Sequence, residues 1–212
     1  MKPIILAMLA ICASHGHAQT LDVMLVLDTT PSAEQATDRI RAKAFGEDVR
    51  VGVMSAVSPV RVLQELTADK KKLADALQKA GVRIGASLGN VAVNQGQHLD
   101  LAEALSAACL QLRESEGAQR KRAIIVVFAG DDRGLPAAAY RLKTALEASH
   151  ARLFAVPVTR YMTSRSTMPP KADFPFPVVT AQILSDLAEM SGGRIYRQAW
   201  DIKDIVKEAT RP

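Results

Sequence analysis

A mainly aliphatic run from Leu21 to Leu27 leads directly into the polar stretch Asp28-Thr29-Thr30-Pro31-Ser32. A run of strand length that ends at turn residues is typical of a central parallel strand, which is covered on both faces. Ligands of open α/β sheets bind beyond the carboxyl ends of the strands, where oxygens of Asp28, Thr30 and Ser32 would meet. The pattern predicts a site for a hard cation such as Mg²⁺; alternatively, Thr30 or Ser32 caps a following helix.

The amino terminus is typical of an exported protein. Residues 4–12 are apolar, and Gly16-His17-Ala18 matches the small-x-small pattern that signal peptidase cleaves. We therefore interpret residues 1–18 as a signal peptide and residues 19–212 as a single domain, located in the periplasm or outside the cell. No other segment approaches the length of a membrane span, so we predict no transmembrane segment after cleavage.

Charge and cysteine content narrow the function classes. The net charge is +5, and the two densest basic runs, residues 70–72 and 120–122, are not interleaved with aromatic residues. Since single-stranded nucleic acids need stacking platforms, we predict no nucleic-acid partner and interpret both runs as solvated surface. Cleavage would leave Cys109 as the single cysteine, which excludes an intrachain disulfide and favours a buried apolar role for that thiol.

Strand and helix patterns alternate along the chain. The sequence predicts strands at 21–27, 49–56, 60–66, 123–128, 153–158 and 194–197, helices at 32–44, 69–80, 100–112, 135–149, 181–190 and 202–209, and a loop at 82–98. Only Val57-Ser58-Pro59 separates the second and third strands, which is too short for a crossover helix. The predicted fold is therefore α/β and doubly wound: a mostly parallel central sheet, one antiparallel edge strand and helices on both faces.

Four loops are expected at one edge of this sheet. In a parallel sheet each helix returns the chain to the starting edge, so successive strands end at the same edge. Counting reversals places Asp28, the loop before Asp100, residues 129–132 and the proline-rich loop 161–179 together at the carboxyl ends of the strands.

Four motifs lie at or next to the predicted strands and helices, in a fixed order along the chain. They are Asp28-Thr29-Thr30-Pro31-Ser32, Leu101-Ala102-Glu103-Ala104-Leu105, Phe128-Ala129-Gly130-Asp131-Asp132, and residues 187–196 with the sequence LAEMSGGRIY. By this ordered set the chain resembles the von Willebrand factor type A (VWA) domain, a Rossmann-like fold, and the resemblance extends over essentially all of residues 19–212. The resemblance implies a metal-ion-dependent adhesion site that holds Mg²⁺ or Mn²⁺ and binds a carboxylate of a protein partner.

The chain departs from that family's metal site at two positions. Asp28, Thr30 and Ser32 match the first segment, but Leu99 stands where the family has a threonine and Ala129 where it has an aspartate. Two expected oxygen donors are thus hydrocarbon, and the predicted site is degenerate. Asp100 and Asp131 are possible substitutes, together with the neighbouring Asp132; alternatively, Asp100 caps a helix and the other two are turn residues. We expect at most a weakened Mg²⁺ or Mn²⁺ site.

An enzymatic alternative rests on Ser87. Gly85-Ala86-Ser87-Leu88-Gly89 matches the nucleophile elbow of α/β-hydrolases, and Asp131 or Asp132 and then His150 follow in the order of such triads. The elbow needs a buried strand before the serine and a helix directly after it, and neither pattern is present around residue 87. His150 is also expected at the opposite edge of the sheet.

We therefore predict a non-enzymatic, exported protein-binding domain of the adhesion or assembly type. Its partner is expected to contact the shared edge through a surface carboxylate or through loop 161–179. In that loop Tyr161, Met162, Phe174 and Phe176 offer contact area, and the prolines limit the entropy lost on binding. Alternatively, this loop folds back to cover the edge of the sheet.

Overall fold

The computed structural model describes residues 21–29, 40–89, 98–115, 119–158, 178–196 and 201–211 of the 212-residue chain. The strands are β1 (Leu21–Leu27), β2 (Val49–Ser55), β3 (Arg61–Thr67), β4 (Lys121–Phe128), β5 (Ala151–Pro157) and β6 (Arg194–Ile195). The helices are α1 (Lys70–Gly89), α2 (Leu101–Glu114), α3 (Leu135–Ser149), α4 (Val178–Met190) and α5 (Ile202–Ala209), with a short 3-10 helix at Ala42–Ala44.

The six strands form one sheet in the order β3-β2-β1-β4-β5-β6. β1 runs parallel to both β2 and β4, and β4 and β5 and then β5 and β6 are also parallel. β3 is antiparallel to β2 and lies at an edge of the sheet. The predicted fold class, mostly parallel with an antiparallel edge strand, is confirmed.

Two apolar layers cover the faces of the sheet. Met24 and Val26 of β1 point into the layer formed by α2, α3 and α4. Val23 and Leu25 point into the layer formed by α1 and α5. All seven residues of β1 are buried, which explains why this strand reads as a continuous run rather than an alternating one.

The predicted loop at 82–98 is wrong for residues 82–89, which continue α1. Glycines at 81 and 85 suggested a stop, because a glycine in a helix costs about 1 kcal/mol relative to alanine. The apolar spacing Leu73, Leu77, Ile84 and Leu88 nevertheless keeps the helical period through both glycines. Periodicity therefore outweighs local propensity in α1.

The predicted helix at 32–44 is wrong at its end. Residues 32–39 lie outside the described residues, but Arg41 is extended, with φ −120° and ψ 137°, and only Ala42–Ala44 form a 3-10 turn. Ile40 and Phe45 are both buried in the same layer. A continuous α-helix would point them about 140° apart, so the extended residue lets both pack on the sheet.

The interpretation of residues 120–122 as solvated surface is also wrong. Arg120 is mostly buried and donates to Asp22, Lys121 donates to the Thr210 carbonyl, and Arg122 donates to the Ser149 carbonyl. These cations belong to the edge of the sheet at which the parallel strands begin.

Among the described residues, none of the helices has the length and apolar character needed to cross a membrane.

Candidate functional site

The candidate site lies at the edge of the sheet where β1, β2 and β4 end. We use the term rim for the segments at this edge: residues 28–29, 55–57, 99–100 and 129–132. Asp28 follows β1, is fully buried, and accepts a hydrogen bond on Oδ2 from the Ala129 amide at 2.9 Å. Its own amide donates to the Val127 carbonyl at 2.8 Å. These two bonds fix the end of β1 against the end of β4.

A second set of contacts brings the residues before α2 to the same rim. Leu99 forms an antiparallel bridge with Val57, and the Asp100 amide donates to the Ala56 carbonyl at 2.7 Å. Leu99 is buried, and its Cδ2 lies 3.7 Å from where a Cβ on Gly130 would stand. Three of the four predicted loop segments therefore meet.

The remaining candidates fall on residues that the structure does not describe. Thr30 and Ser32 of the predicted metal site lie outside the described residues. So do Tyr161, Met162, Phe174 and Phe176, and with them the predicted signal peptide. Of the predicted loop 161–179, the structure describes only Val178 and Val179. These two residues begin α4 and are both more than half exposed.

The described rim supplies few free metal ligands. Leu99 and Ala129 carry no side-chain oxygen, and one oxygen of Asp28 already accepts from Ala129. Asp100 caps α2 by accepting from the Glu103 amide at 3.0 Å. Within the segments that the structure describes, no group of three or more His, Cys, Asp or Glu side chains is arranged to hold a metal ion. The donors present here do not by themselves fit a Mg²⁺ or Mn²⁺ coordination shell.

Asp131 and Asp132, possible substitute ligands, are engaged with helix N-termini. Asp132 is 5% exposed, and its Oδ1 accepts from the Gly134 amide at 2.7 Å while Oδ2 accepts from the Ala102 amide at 3.0 Å. Asp131 is exposed and accepts from the Thr180 amide at 3.4 Å. The alternative interpretation described Asp131 and Asp132 as turn residues only; their carboxylates also accept from amides at or next to helix starts.

Sequence reasoning missed two polar contacts of the rim. The Thr29 and Ser55 hydroxyls, both buried, lie 2.9 Å apart and join the ends of β1 and β2. Thr180, in the first turn of α4, accepts from the Asp132 amide at 2.9 Å. The contact between Thr29 and Ser55 could have been predicted, because each is a polar residue at the carboxyl end of a buried strand. The contact between Asp132 and Thr180 joins residues 48 positions apart, and no local sequence pattern indicates it.

The backbone around Ser87 does not have the form of a nucleophile elbow. Residues 70–89 are one helix, so no strand leads into Ser87 and no tight turn holds it above the sheet. His150 is exposed and ends α3 at the edge opposite the rim. The 15 residues of α3, about 22 Å in length, separate it from the rim aspartates. The proposed triad is therefore not assembled.

This sheet order, with one loop cluster at the carboxyl ends of its central strands, defines a Rossmann-like class of α/β protein, and solved structures narrow it to the VWA fold. The chain is similar to an aerotolerance-related membrane protein from Bacteroides fragilis, with a TM-score of 0.61 and 16% identity over 89% of this chain and 98% of that one. It is also similar to BatB, a conserved hypothetical protein from Bacteroides thetaiotaomicron, with a TM-score of 0.56 and 16% identity over 89% and 98% of the two chains.

A third similar structure is the SpRpn10 VWA domain, with a TM-score of 0.57 and 13% identity over 89% of this chain and 95% of that one. No family model matches the sequence, and no curated protein matches it. At these identities the likeness concerns the fold, and the chain has the VWA fold.

Proposed function

We propose that this chain is an exported, non-enzymatic protein-binding domain that contacts its partner through the rim and through residues 161–179. The observation that carries the proposal is the convergence of three distant loop segments, held by the Asp28 to Ala129 and Leu99 to Val57 contacts. Binding surfaces built from loops on a rigid sheet are common in α/β proteins. Adhesion or assembly is the role that this architecture best supports.

A divalent cation plays at most a weak part in the proposed function. Asp28, Thr30 and Ser32 would supply the ligands for Mg²⁺ or Mn²⁺, and such an ion would offer an open coordination position to a carboxylate of the partner. Leu99 and Ala129 carry no side-chain oxygen and would supply no ligand to such an ion. Fewer ligands and less negative charge lower the affinity for a hard cation.

A melting experiment tests the cation. At a concentration equal to its Kd, a ligand stabilises the folded state by about 0.4 kcal/mol, so a site with millimolar affinity gives a small rise of Tm in millimolar Mg²⁺ or Mn²⁺. We expect a rise of that size or smaller, and its loss in Asp28→Ala. A large rise at micromolar Mn²⁺ would contradict the proposed weakness, and a rise that survives Asp28→Ala would place the ion elsewhere.

Partner binding is tested by site-specific photo-crosslinking in the native host. A photoreactive amino acid is placed at Arg133, which is exposed beside the rim, and in a matched protein at His150, which is exposed at the opposite edge. We expect an adduct of defined mass from position 133 that excess unmodified protein competes away. The double variant Phe174→Ala, Phe176→Ala should lower its yield. Equal adducts from both positions, or none from position 133, would contradict the proposal.

Export is tested on the same protein. The proposed signal peptide requires that the protein recovered from the periplasm or the medium begins at Gln19, which mass spectrometry of the intact chain measures. A full-length chain retained in the cytoplasm would contradict this part of the proposal while leaving the rim untouched.

A further inference from the structure

Asp132 sits where three helices of one layer begin. α2 starts at Leu101, α3 at Leu135 and α4 at Val178, and all three pack in the same apolar layer. The first amides of a helix have no partner within the helix and carry partial positive charge. The Asp132 carboxylate is therefore placed to stabilise the starts of α2 and α3, while its backbone amide contacts the start of α4.

Asp132 makes hydrogen bonds through both carboxylate oxygens and through its backbone amide. One carboxylate oxygen accepts from the Ala102 amide at 3.0 Å, the other accepts from the Gly134 amide at 2.7 Å, and the backbone amide donates to Thr180 Oγ1 at 2.9 Å. Asp131 adds a longer bond from the Thr180 amide at 3.4 Å. Asp132 and Thr180 are 5% and 1% exposed, so water competes little for these groups.

These contacts cross-link the rim itself. Ala102 lies three residues after Leu99, and Gly134 lies four residues after Gly130, so one carboxylate ties the segment before α2 to the segment after β4. Asp28 ties that second segment to β1 through the Ala129 amide, and Asp100 ties the first to β2 through the Ala56 carbonyl. The described rim is thus a closed chain of protein hydrogen bonds.

We propose that Asp132 is the positioning residue of the rim, and that it keeps the rim in its binding arrangement without a divalent cation. The proposal rests on the rim being the partner-binding surface, as argued above. It makes the arrangement of the rim insensitive to chelators and sensitive to loss of one buried carboxylate.

Amide hydrogen exchange of the full mature chain tests the cross-link without any partner. In Asp132→Ala we expect exchange at the Ala102 and Gly134 amides to rise about tenfold, the effect of losing a hydrogen bond to a charged acceptor. EDTA added to the unaltered protein should change neither amide. The matched control Glu189→Ala removes an exposed carboxylate of α4, and should also leave both amides unchanged.

A graded variant keeps the test decisive if Asp132→Ala does not fold. Asp132→Asn retains one acceptor oxygen, so it should protect one of the two amides and expose the other, a split that general destabilisation would not produce. Unchanged exchange in Asp132→Asn, equal acceleration across α2 and α3, or deprotection by EDTA alone would overturn the proposal. If the exchange results are as expected but position 133 gives no photo-adduct, the proposed function is refuted. The role of Asp132 in holding the rim together then still stands.

Discussion

At the scale of single residues, Asp22 is a charged side chain inside the central strand. It is fully buried, accepts from Arg50 Nε at 2.9 Å and Nη2 at 2.6 Å, and accepts from Arg120 Nε at 2.6 Å. Burial raises the pKa of the Asp22 carboxyl, but the hydrogen bonds and positive charges of the two arginines outweigh it and hold the pKa below its usual value of 3.8. The ionised form is the one that the fold stabilises.

Replacing Asp22 by asparagine should therefore give a pH-dependent loss of stability. At neutral pH we expect the free energy of unfolding to fall by about 3 kcal/mol, because the partly buried Arg50 and Arg120 lose the negative charge of Asp22. Since the folded pKa is depressed, this contribution is complete above the unfolded pKa and is lost as pH falls through that value toward the folded pKa. Urea unfolding at a series of pH values should show the gap between the two proteins constant above about pH 5 and narrowing below about pH 4. A gap that stays constant down to pH 3 would contradict the assignment.

Gly193 tests packing at a single backbone position. A Cβ there would lie 1.8 Å from the carbonyl oxygen of Leu153 and 2.6 Å from its carbon, and the backbone of β5, paired with β4 along its length, cannot move aside. We expect Gly193→Ala to lower the free energy of unfolding by more than about 3 kcal/mol. Gly46→Ala is the matched control, because its Cβ would meet only Val49 Cγ2 at 3.9 Å. Similar melting temperatures for the two variants would contradict this close approach.

At the scale of elements, the start of α2 combines a local cap with a tertiary one. Asp100 accepts from the Glu103 amide within the helix, while Asp132 accepts from Ala102 across the rim. Asp100→Ala should cost about 1 kcal/mol, measured by urea unfolding, and Asp100→Ser should restore most of it, because serine is also an N-cap residue. A loss of several kcal/mol that serine does not restore would mean that Asp100 does more than cap.

Most elements followed from sequence because their boundaries are marked locally. The ranges 135–149 and 202–209 were predicted as observed, the first with a proline at its second position and the second directly after the capping Asp201. The end of α1 was not predicted, because two glycines disfavour a helix where the apolar residues keep a helical period. The meeting of the rim loops followed from strand direction, but the contacts of Asp132 with Ala102 and Thr180 did not. They depend on how helices distant in sequence pack.

At the scale of the whole molecule, charge is arranged along the axis of the strands. Carboxylates of Asp100 and Asp132 meet helix N-termini at the rim, while basic side chains at the start of β4 and β5 meet helix C-termini at the opposite edge. The parallel part of the fold places the C-termini of α2, α3, α4 and α5 where strands begin, so a cation there offsets the negative end of a helix dipole. This arrangement accounts for Lys121 and Arg122 at the start of β4, while Arg120 pairs with Asp22.

Arg152 makes the fullest set of these contacts and gives the test of the arrangement. Its guanidinium donates to the Gly192 carbonyl at 2.7 Å after α4, and to the Glu208 and Arg211 carbonyls at 3.1 and 3.3 Å at the end of α5. Arg152→Met keeps the apolar stem and removes the donors, and we expect it to lower the free energy of unfolding by about 2 kcal/mol. Arg152→Lys should recover only part, because an ammonium lacks the planar fork that reaches two helix ends at once.

The matched control is Arg133→Met, an equal change of charge at an exposed position beside the rim. If basic residues stabilise this protein through helix C-termini, thermal unfolding should separate the variants in the order Arg133→Met, Arg152→Lys, Arg152→Met, from most to least stable. Equal melting temperatures for the two methionine variants would show that net charge rather than position matters. In hydrogen exchange, a loss of amide protection confined to α4 and α5 would locate the effect at the two helix ends that Arg152 joins.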